Sequence, residues 1–518
     1  MSTPAVSPAP PSVRHSESRA MVLALVAAVI CLALYIATAA SGLTWAHDGA
    51  DGGDLIAACE TGGVPHPGGY PTYCLLARTF TRLPLGNLAR RYTLFSALAA
   101  ALSAGIACDL FYRMVLRGGL RERPAAVLAL LSSLTWGLGP ALWSQAVITE
   151  VYALHALFAA LLIWCAFILD DSSATRAWMG LGLAAGLGLG NHLTLVLILP
   201  GLLVWLWPFY APRRALLTAG GLLLGLCVYL YVPLAARANP PVAWGDPRDW
   251  RGFWWLVSGE LYRGYVFATP WRQVLARMPS LAALITAQYT LPGLAVALLG
   301  LETGARTLSR RMLWGSVLVA LLPAVYALGY NTTDSTVYLL PVWLMGTFWL
   351  VLGAQAAWHA LETWRKFRAL VAVGLVLVAA WLGIRGYDAQ NLRGDRSAED
   401  WLAAVVAQAP DGALLISGED GHTFALDYMQ WALEKRTDLL AVDGELWAYP
   451  WYQRQLQSRH PGLALPAEAT LEDLIAARLS QGAVYLTSPR PALNALYEVK
   501  ALAAAPAGVL WQVQLRPQ

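Results

Sequence analysis

The sequence predicts a polytopic α-helical membrane protein with a soluble α/β domain at its C-terminal end. Its 518 residues are 57% hydrophobic and only 13% charged, whereas soluble globular proteins carry about 25% charged residues. The hydrophobic residues fall into runs of about 20, the length at which a helix crosses the hydrocarbon core of a bilayer. After about residue 385 these runs stop. Short strand-like and helix-like patterns alternate there instead, which is typical of a small α/β domain.

Eleven apolar segments predict membrane spans. They cover about residues 21–41, 92–114, 125–144, 151–169, 177–190, 193–209, 215–236, 282–301, 312–330, 336–356 and 368–385. The first is longer than the apolar core of a cleaved signal peptide, so we expect an uncleaved anchor. The fifth and sixth are short and meet at Asn191 and His192, which favours broken or half-buried helices there. The chain before the first span is rich in Pro and Ser, which predicts a disordered cytoplasmic N-terminus at residues 1–19.

Arginine clusters predict which loops face the cytoplasm. Short loops after the second, sixth and eighth spans hold Arg121 and Arg123, Arg213 and Arg214, and Arg310 and Arg311. Loops with such an excess of positive charge stay in the cytoplasm. Eleven spans then put two long loops, residues 42–91 and 237–281, and the tail, residues 386–518, on the extracytoplasmic side. We therefore predict a transmembrane domain at residues 20–385 in the inner (plasma) membrane of a bacterium, with the tail domain outside.

The tail contains three strand-like runs and one helical pattern. Residues 413–417, 439–442 and 483–487 are rich in aliphatic side chains, as strands are, and residues 422–435 have apolar side chains at helical spacing. We find no Gly-rich phosphate-binding loop in the tail. The net charge of +4 is too small to indicate a nucleic-acid module. The tail therefore predicts a small α/β domain, and we expect no nucleic-acid partner.

The first long loop concentrates acids, glycines and prolines just outside the first span. Asp48, Asp51 and Asp54 lie close together there, near a bilayer in which carboxylates are costly. Two prolines flank His66, and two glycines precede Tyr70; such residues fix tight turns that bring the backbone close to a ligand. An interfacial loop with solvated acids is the simpler interpretation of such a segment. The density of Gly and Pro favours a built site.

A carboxylate held in such a site predicts general-base chemistry. It can take a proton from an acceptor hydroxyl as that oxygen attacks a sugar carbon, and a single base suits transfer with inversion of configuration. A phosphate leaving group needs little protonation, but positive charge or hydrogen bonds must stabilise it. His66 or an arginine of the outer loops would supply these interactions.

Several sequence blocks together resemble one membrane family. They are Asp51-Gly-Gly-Asp54, His66-Pro-Gly-Gly-Tyr70-Pro71, the segment from Trp143 to His155, Gly190-Asn191-His192 and Trp244-Gly-Asp246-Pro. The family is a branch of the GT-C glycosyltransferases related to the protein O-mannosyltransferases. It was long known only as a domain of unknown function and includes a vertebrate transmembrane O-mannosyltransferase. The resemblance covers most of residues 40–270.

This resemblance implies a GT-C-like fold and an inverting glycosyltransferase. The enzyme would move a sugar, mannose or another hexose, from a polyprenyl-phosphate donor to a hydroxyl of a protein or glycan acceptor on the extracytoplasmic side of the bilayer. Asp51 would be the leading base candidate, with Asp54 beside it, in a catalytic domain formed by the transmembrane part. We expect no cofactor apart from the lipid-linked donor, and the sequence requires no metal ion.

Further polar residues are predicted to bind the donor or the substrate. They are Asp48, His66, Tyr70, Glu150, Tyr152, His155, Asn191, His192, Arg237, Trp244 and Arg263. Arg237 and Arg263 are the candidates for the donor phosphate, because arginine binds phosphate bidentately. Structural alternatives remain open. Glu150 would cap a helix end, Asn191 would bond a neighbouring helix, and the aromatic residues of the second loop would anchor it at the bilayer surface.

Two smaller features each allow two interpretations. Asp334 would either line the site or cap the tenth span, and the cap is the favoured one. Cys59 and Cys74 would either form a disulfide, which an oxidising compartment permits, or remain free buried thiols, which is the favoured expectation.

Two other functions are compatible with the same residues. A transporter or flippase of a lipid-linked glycan would use the acids as proton or cation sites, and Asp109, within a span, is its clearest marker. A non-catalytic membrane assembly protein would use the tail as its sensing unit. We find no clear internal repeat, which weakens the transporter alternative. We favour the glycosyltransferase, and replacement of Asp51 by Asn would separate it from a scaffold.

Overall fold

The computed structural model describes residues 11–170, 175–364, 367–463, 465–466, 468–502 and 509–516. The helices that precede the tail are α1 (Pro11–Thr38), α2 (Gly52–Thr61), α3 (Pro71–Ala77), α4 (Leu88–Arg117), α5 (Glu122–Gly137), α6 (Pro140–Ala146), α7 (Tyr152–Leu169), α8 (Ala177–Leu189), α9 (Leu199–Leu206), α10 (Pro212–Leu226), α11 (Tyr231–Arg237), α12 (Trp250–Val257), α13 (Trp271–Thr307), α14 (Arg310–Gly329), α15 (Leu340–Ala360) and α16 (Arg368–Ala389). The tail contains α17 (Ser397–Gln408), α18 (Asp420–Asp427), α19 (Pro450–Arg459) and α20 (Leu471–Leu479).

The chain is a membrane protein with a bundle of long apolar helices. Within the described residues, eight helices are long and apolar enough to cross a membrane, or nine if the bent pair α5 and α6 forms one span. Eleven full spans were predicted. The difference lies at α8 and at Leu193–Phe209, which are shorter apolar helices. At 1.5 Å per residue, the 13 residues of α8 extend only about 20 Å, less than the thickness of the hydrocarbon core.

Glycine pairs allow two of these helices to pack with their backbones in contact. Gly182 and Gly186 of α8 face Gly221 and Gly225 of α10, and a β-carbon on Gly186 would lie 2.8 Å from the Gly225 Cα. Each pair is spaced as Gly-x-x-x-Gly, the small-residue pattern that favours close helix association in membranes. Side chains larger than glycine would separate α8 from α10.

The N-terminus departs from the prediction of disorder over residues 1–19. Helix α1 begins at Pro11, well before the apolar span, so residues 11–19 are helical. Residues 1–10 lie outside the described part of the chain. The extension is explained by helix cooperativity, since a long apolar helix propagates into flanking residues at little cost.

The tail forms a five-stranded sheet with helices around it. Its strands are β1 (Leu414–Ser417), β2 (Leu440–Asp443), β3 (Val484–Leu486), β4 (Tyr497–Ala501) and β5 (Trp511–Leu515), in the order β2-β1-β3-β5-β4. β1 pairs in parallel with β2 and β3, while β5 is antiparallel to β3 and β4. The predicted α/β character is confirmed, and β4 and β5 are additions to the three predicted strands. Their alternating polar and apolar residues fit antiparallel strands with one exposed face.

The helical pattern predicted at 422–435 is split in the structure. α18 ends at Asp427, and a π-helical turn, Tyr428–Ala432, follows it. α18 packs against α2 and against the 3-10 helix Ala46–Asp51, which belong to the first long loop. The tail domain is thereby in direct contact with the acid-rich segment.

Candidate active site

Asp51 lies where the first loop turns into a helix. His47 and Asp48 have left-handed backbone conformations, with φ of 56° and 60°, so the chain reverses after α1 and the 3-10 helix Ala46–Asp51 leads directly into α2. Asp51 is the residue just before α2. Its side chain is 35% exposed and lies on the wall of a cavity.

His66 connects Asp51 to Asp54. Its Nδ1 lies 2.7 Å from Asp54 Oδ2, and its Nε2 lies 3.3 Å from Asp51 Oδ2. Burial by itself would lower the pKa of His66. The two carboxylates, Asp51 foremost, outweigh burial and hold the pKa well above its ordinary value. Both ring nitrogens thus face a carboxylate, an arrangement that favours the protonated imidazolium form of His66.

Asp54 faces the protein interior instead of the cavity. Its Oδ2 accepts the main-chain N–H of His66 at 2.9 Å as well as the ring N–H, and its Oδ1 accepts the indole N–H of Trp244 at 2.9 Å. The side chain is fully buried. The expectation that Asp54 stands beside Asp51 as an alternative base does not fit this geometry, because both of its oxygens are occupied. Trp244 likewise contacts Asp54 and is absent from the cavity wall.

A disulfide closes the segment that carries His66 and Tyr70. Cys59 of α2 is bonded to Cys74 of α3, so the favoured expectation of free thiols is wrong. The two helices meet at the base of the loop, where the cysteine Cα atoms are 4.9 Å apart. Tyr70 has a left-handed backbone (φ 36°), its hydroxyl donates to the carbonyl of Pro67 at 3.1 Å, and its ring lies 4.9 Å from the ring of His66.

A cavity of about 480 Å³ opens beside Asp51. Its volume is within the range of small-molecule sites. The wall combines both long loops, membrane helices and the tail domain. Its ionisable side chains are Asp48, Asp51, His66, His192, Arg263, Asp334 and Asp420, with Tyr70, Tyr152, Tyr262, Tyr265, Tyr326, Tyr330 and Tyr338. The cavity thus offers carboxylates, a guanidinium and phenol hydroxyls to one ligand.

Seven of the predicted site residues lie on the cavity wall. They are Asp48, Asp51, His66, Tyr70, Tyr152, His192 and Arg263. His192 ends the break between α8 and the next helical segment, and its Nδ1 lies 2.7 Å from the hydroxyl of Thr194. The rings of Tyr70 and Tyr152 are 5.8 Å and 5.2 Å from the ring of His192. The short predicted spans therefore do break at a residue that faces the cavity.

Glu150, His155 and Asn191 lie beneath the cavity wall and are buried. The main-chain N–H of Val151 donates to Glu150 Oε2 at 3.2 Å. Burial, with the charge of Asp51 added, raises the pKa of Glu150 well above its ordinary value, which favours the protonated carboxyl. The Asn191 amide donates to the carbonyl of Val151 at 3.1 Å, and the ring of His155 is 5.7 Å from that of His192. These residues support the wall, which favours the structural alternatives.

The two candidate phosphate ligands differ in position. Arg237 is the exposed last residue of α11 and is absent from the cavity wall, so its binding of the donor stays a prediction. Arg263 is on the wall. It pairs with Glu260 at 2.6 Å and donates to the hydroxyl of Ser258 at 3.0 Å, yet its side chain remains 53% exposed.

Two acids of the wall were missed or misassigned. The carboxylate of Asp334 makes no capping hydrogen bond to the helical turn after it, so the favoured cap interpretation is wrong and the residue lines the cavity.

Asp420 of the tail also lines the cavity, although it is not among the site residues predicted from the sequence. It follows the carboxyl end of β1, and this edge of a parallel sheet is where α/β domains bind ligands, which is the signal that pointed to it.

Gly53, the second of the two glycines between the aspartates, allows α18 to dock on α2. A β-carbon on Gly53 would lie 2.5 Å from the carbonyl carbon of Phe424 and 3.1 Å from the nitrogen of Ala425. The ring of Phe424 lies parallel to that of His66, with centroids 6.0 Å apart. The spacing Asp-Gly-Gly-Asp therefore supplies both acids and a contact surface for the tail domain.

Comparison with known proteins gives matches in sequence and in fold. The sequence model of one protein family, described as the protein O-mannosyl-transferase TMEM260 N-terminal domain, matches residues 51–213 of this chain. Protein O-mannosyl-transferase TMEM260 of Mus musculus is 27% identical over 454 residues, which are 81% of this chain and 63% of the mouse protein. The tmem260 protein of Dictyostelium discoideum is 25% identical over 229 residues, 40% of this chain and 27% of that protein.

A solved structure covers nearly the whole fold. ArnT from Cupriavidus metallidurans, crystallised with undecaprenyl phosphate, superposes with a TM-score of 0.58 at 13% identity, over 96% of this chain and 99% of that chain. This chain is thus similar in sequence to the TMEM260 proteins and has the fold of ArnT. It spans 63% of the length of the mouse relative. The predicted resemblance and the predicted fold class are confirmed.

The residues that match the family model include only some of the residues on the cavity wall. Residues 51–213 contain Asp51, His66 and His192. They do not contain Arg263 or Asp420, which complete the cavity wall from the second loop and from the tail. The structure therefore assembles the candidate site from three parts of the chain: the first long loop with the membrane helices, the second long loop and the tail.

Proposed function

We propose that the chain is an inverting glycosyltransferase that moves a sugar, such as mannose or another hexose, from a polyprenyl-phosphate donor to a hydroxyl of a protein or glycan acceptor. The observation that carries the proposal is Asp51, whose carboxylate borders the cavity while His66 holds it from behind. The names of the relatives support the transferase activity. The undecaprenyl phosphate bound to ArnT supports a polyprenyl-phosphate carrier.

Asp51 is the general base in this proposal. The acceptor hydroxyl gives its proton to a carboxylate oxygen of Asp51 as its own oxygen bonds to the anomeric carbon of the donor sugar. The bond between that carbon and the phosphate oxygen breaks on the opposite face, and its electron pair stays with the phosphate. The products are a glycoside of inverted configuration, polyprenyl phosphate and a protonated Asp51, which then releases its proton to water.

The leaving phosphate needs stabilising donors. Arg263 is a wall residue whose side chain is half exposed, and guanidinium binds phosphate oxygens well. Burial raises the pKa of Tyr262 well above its ordinary value, with Asp51 contributing next. Tyr262 therefore remains a neutral phenol that can donate a hydrogen bond. These two residues are our assignment for donor-phosphate binding, together with His192.

We place the reaction on the extracytoplasmic side of the plasma membrane, which is the inner membrane if the source is a bacterium. The Cys59–Cys74 disulfide supports this side, because it lies in the same loop as Asp51 and such bonds persist in oxidising compartments. The arginine-rich short loops support the same orientation.

The residue that favoured a transporter is engaged in structural contacts. Asp109 of α4 accepts from the guanidinium of Arg113 at 2.6 Å and from the indole N–H of Trp164 at 2.6 Å. A carboxylate paired in this way with two donors is typical of a structural ion pair within a bundle. We therefore do not pursue that alternative.

The test uses purified protein in lipid nanodiscs with a panel of undecaprenyl-phospho-hexoses and a peptide rich in Ser and Thr. Mass spectrometry follows released undecaprenyl phosphate and glycosylated peptide. We expect Asp51→Asn to lower the rate about 10²- to 10⁴-fold, the usual contribution of a positioned base, without loss of donor binding. Asp411→Asn is the control, since this tail acid is fully exposed. Full activity of Asp51→Asn would refute the assignment of the base.

A further inference from the structure

The soluble tail domain supplies part of the wall of the candidate active site. Helix α18 begins at Asp420, and this residue borders the same cavity as Asp51 and His66. Tyr152 of α7 and Tyr338, just before α15, border it from the membrane domain. A ligand in the cavity would therefore touch both the membrane bundle and the tail.

Three contacts fix the start of α18 relative to the first loop. The indole N–H of Trp45 donates to the carbonyl of Gly421 at 3.2 Å. The Phe424 ring lies parallel to the His66 ring, and the Phe424 backbone meets α2 at Gly53. Trp45 and Gly53 are neighbours of Asp51 in the same loop. The position of α18 is therefore coupled directly to the position of the proposed base.

The carboxylate of Asp420 is available to a ligand. It makes no hydrogen bond or ion pair with another side chain or backbone group in the described ranges, and the residue is exposed. Asp54, in contrast, has both oxygens occupied. The residue is exposed only toward the cavity, and the partial loss of water contact there, with the charge of Asp51, raises the pKa of Asp420 to about 6, so it is mainly ionised at neutral pH. An ionised carboxylate only accepts hydrogen bonds, which suits a ligand with hydroxyl or amide N–H groups.

We propose that Asp420 is a positioning residue that binds the acceptor, so that the tail domain forms the acceptor half of the active site. The inference rests on the proposed glycosyl transfer. The donor is a poor partner for Asp420, because its phosphate is negatively charged and like charges repel. Its lipid tail also requires the membrane helices. The acceptor arrives from the aqueous side, where the tail domain lies, and presents hydroxyl and amide donors.

The test measures two reactions of the full-length protein in nanodiscs. The first is sugar transfer from undecaprenyl-phospho-mannose, or from the hexose donor found active above, to the Ser- and Thr-rich peptide. The second is hydrolysis of the same donor in the absence of peptide, in which water replaces the acceptor. The variants are Asp420→Asn and the conservative Asp420→Glu. Glu419→Gln is the matched control, because Glu419 precedes Asp420, is exposed and does not border the cavity.

We expect Asp420→Asn to raise the KM for the peptide roughly 10- to 100-fold, the loss typical of a hydrogen bond to a charged group. The KM for the donor and the rate of hydrolysis should stay within about twofold of wild type. Asp420→Glu should recover part of the peptide affinity, and Glu419→Gln should match wild type. The unfolding temperature of each variant verifies that the tail domain remains folded.

Other outcomes would overturn the inference. An unchanged peptide KM in Asp420→Asn would exclude acceptor binding by this residue. An equal loss of transfer and hydrolysis would mean that Asp420 acts in the chemistry itself or in folding. If the wild-type protein cleaves none of the donors, the proposed function fails and this role fails with it. If wild type is active and only the Asp51 assignment fails, the comparison of peptide KM values still decides the role of Asp420.

Discussion

Replacement of Gly53 by alanine would test whether docking of the tail domain holds the candidate site together. Gly53 lies between Asp51 and Asp54, and its missing side chain lets the backbone of α18 contact α2. The added β-carbon would lie 2.5 Å from the carbonyl carbon of Phe424, whereas ordinary van der Waals contact begins at 3.4 Å. The obstacle is backbone, which cannot rotate away, so α2 and α18 must separate by about 1 Å.

The size of the effect follows from this separation. Overpacking of a well-packed contact costs about 1–3 kcal/mol, and the better helix propensity of alanine returns up to about 1 kcal/mol. We therefore expect a small decrease in the free energy of unfolding. A misplacement of about 1 Å can lower a catalytic rate about 10²-fold. The rate of transfer should thus fall about 10²-fold although the variant remains folded.

The assay compares Gly53→Ala with Gly220→Ala in the same nanodisc preparation. Gly220 is a helical glycine of α10, and a β-carbon there would meet no atom within 4 Å. Sugar transfer to peptide and the unfolding temperature are measured for both. Gly220→Ala should keep wild-type transfer. Equal transfer rates in the two variants would refute the idea that the close approach of α18 to α2 is required for function.

Two further perturbations test the disulfide and a buried acid. Cys59→Ser combined with Cys74→Ser should lower the free energy of unfolding by about 3 kcal/mol, the value for a loop of about 15 residues. A reductant should lower the unfolding temperature of the wild-type protein and leave that of this variant unchanged. Burial, with the charge of Asp54 next, raises the pKa of Asp427 from 3.8 to about 8. The folded protein therefore retains a proton that the unfolded chain releases, and stability should fall as pH rises from about 4 to about 8. Asp427→Asn should flatten this dependence in unfolding temperatures measured across that range, and an unchanged slope would contradict it.

The sequence predicts the membrane helices well and the short elements less well. Hydropathy over about 20 residues records burial in lipid directly, so every long helix was found. The segment Leu193–Phe209 is as apolar as the long helices, so hydropathy predicts a full span there. It is shorter than a full span because the chain breaks at His192. Strands β4 and β5 are not predicted from the sequence, because half of the residues in each strand are polar and such alternation also occurs in exposed loops.

The candidate site was predicted only where its residues are close in sequence. Gly and Pro around His66 marked a rigid loop near Asp51, and the structure does bring both to one cavity. The partner of Asp54 is Trp244, which lies 190 residues away, and no local pattern records that contact. Asp420 is even farther from Asp51 along the sequence. Contacts across such distances are set by tertiary packing, so one sequence without its structure could not assign Asp54 to the interior or Asp420 to the cavity.

The unequal positions of Asp51 and Asp54 bear on the type of reaction. Enzymes that cleave a bond between two sugars place two carboxyl groups on the substrate, because the departing sugar oxygen needs a proton from an acid. In this site Asp51 reaches the cavity, while Asp54 is fully buried and bonded to His66 and Trp244. One such base is sufficient when the leaving group is a phosphate, which departs without protonation if cationic and hydrogen-bond donors stabilise it. The buried position of Asp54 therefore leaves Asp51 as the base of this pair, and His66 with its two carboxylate partners orients that base, an arrangement that is sufficient for transfer from a sugar phosphate.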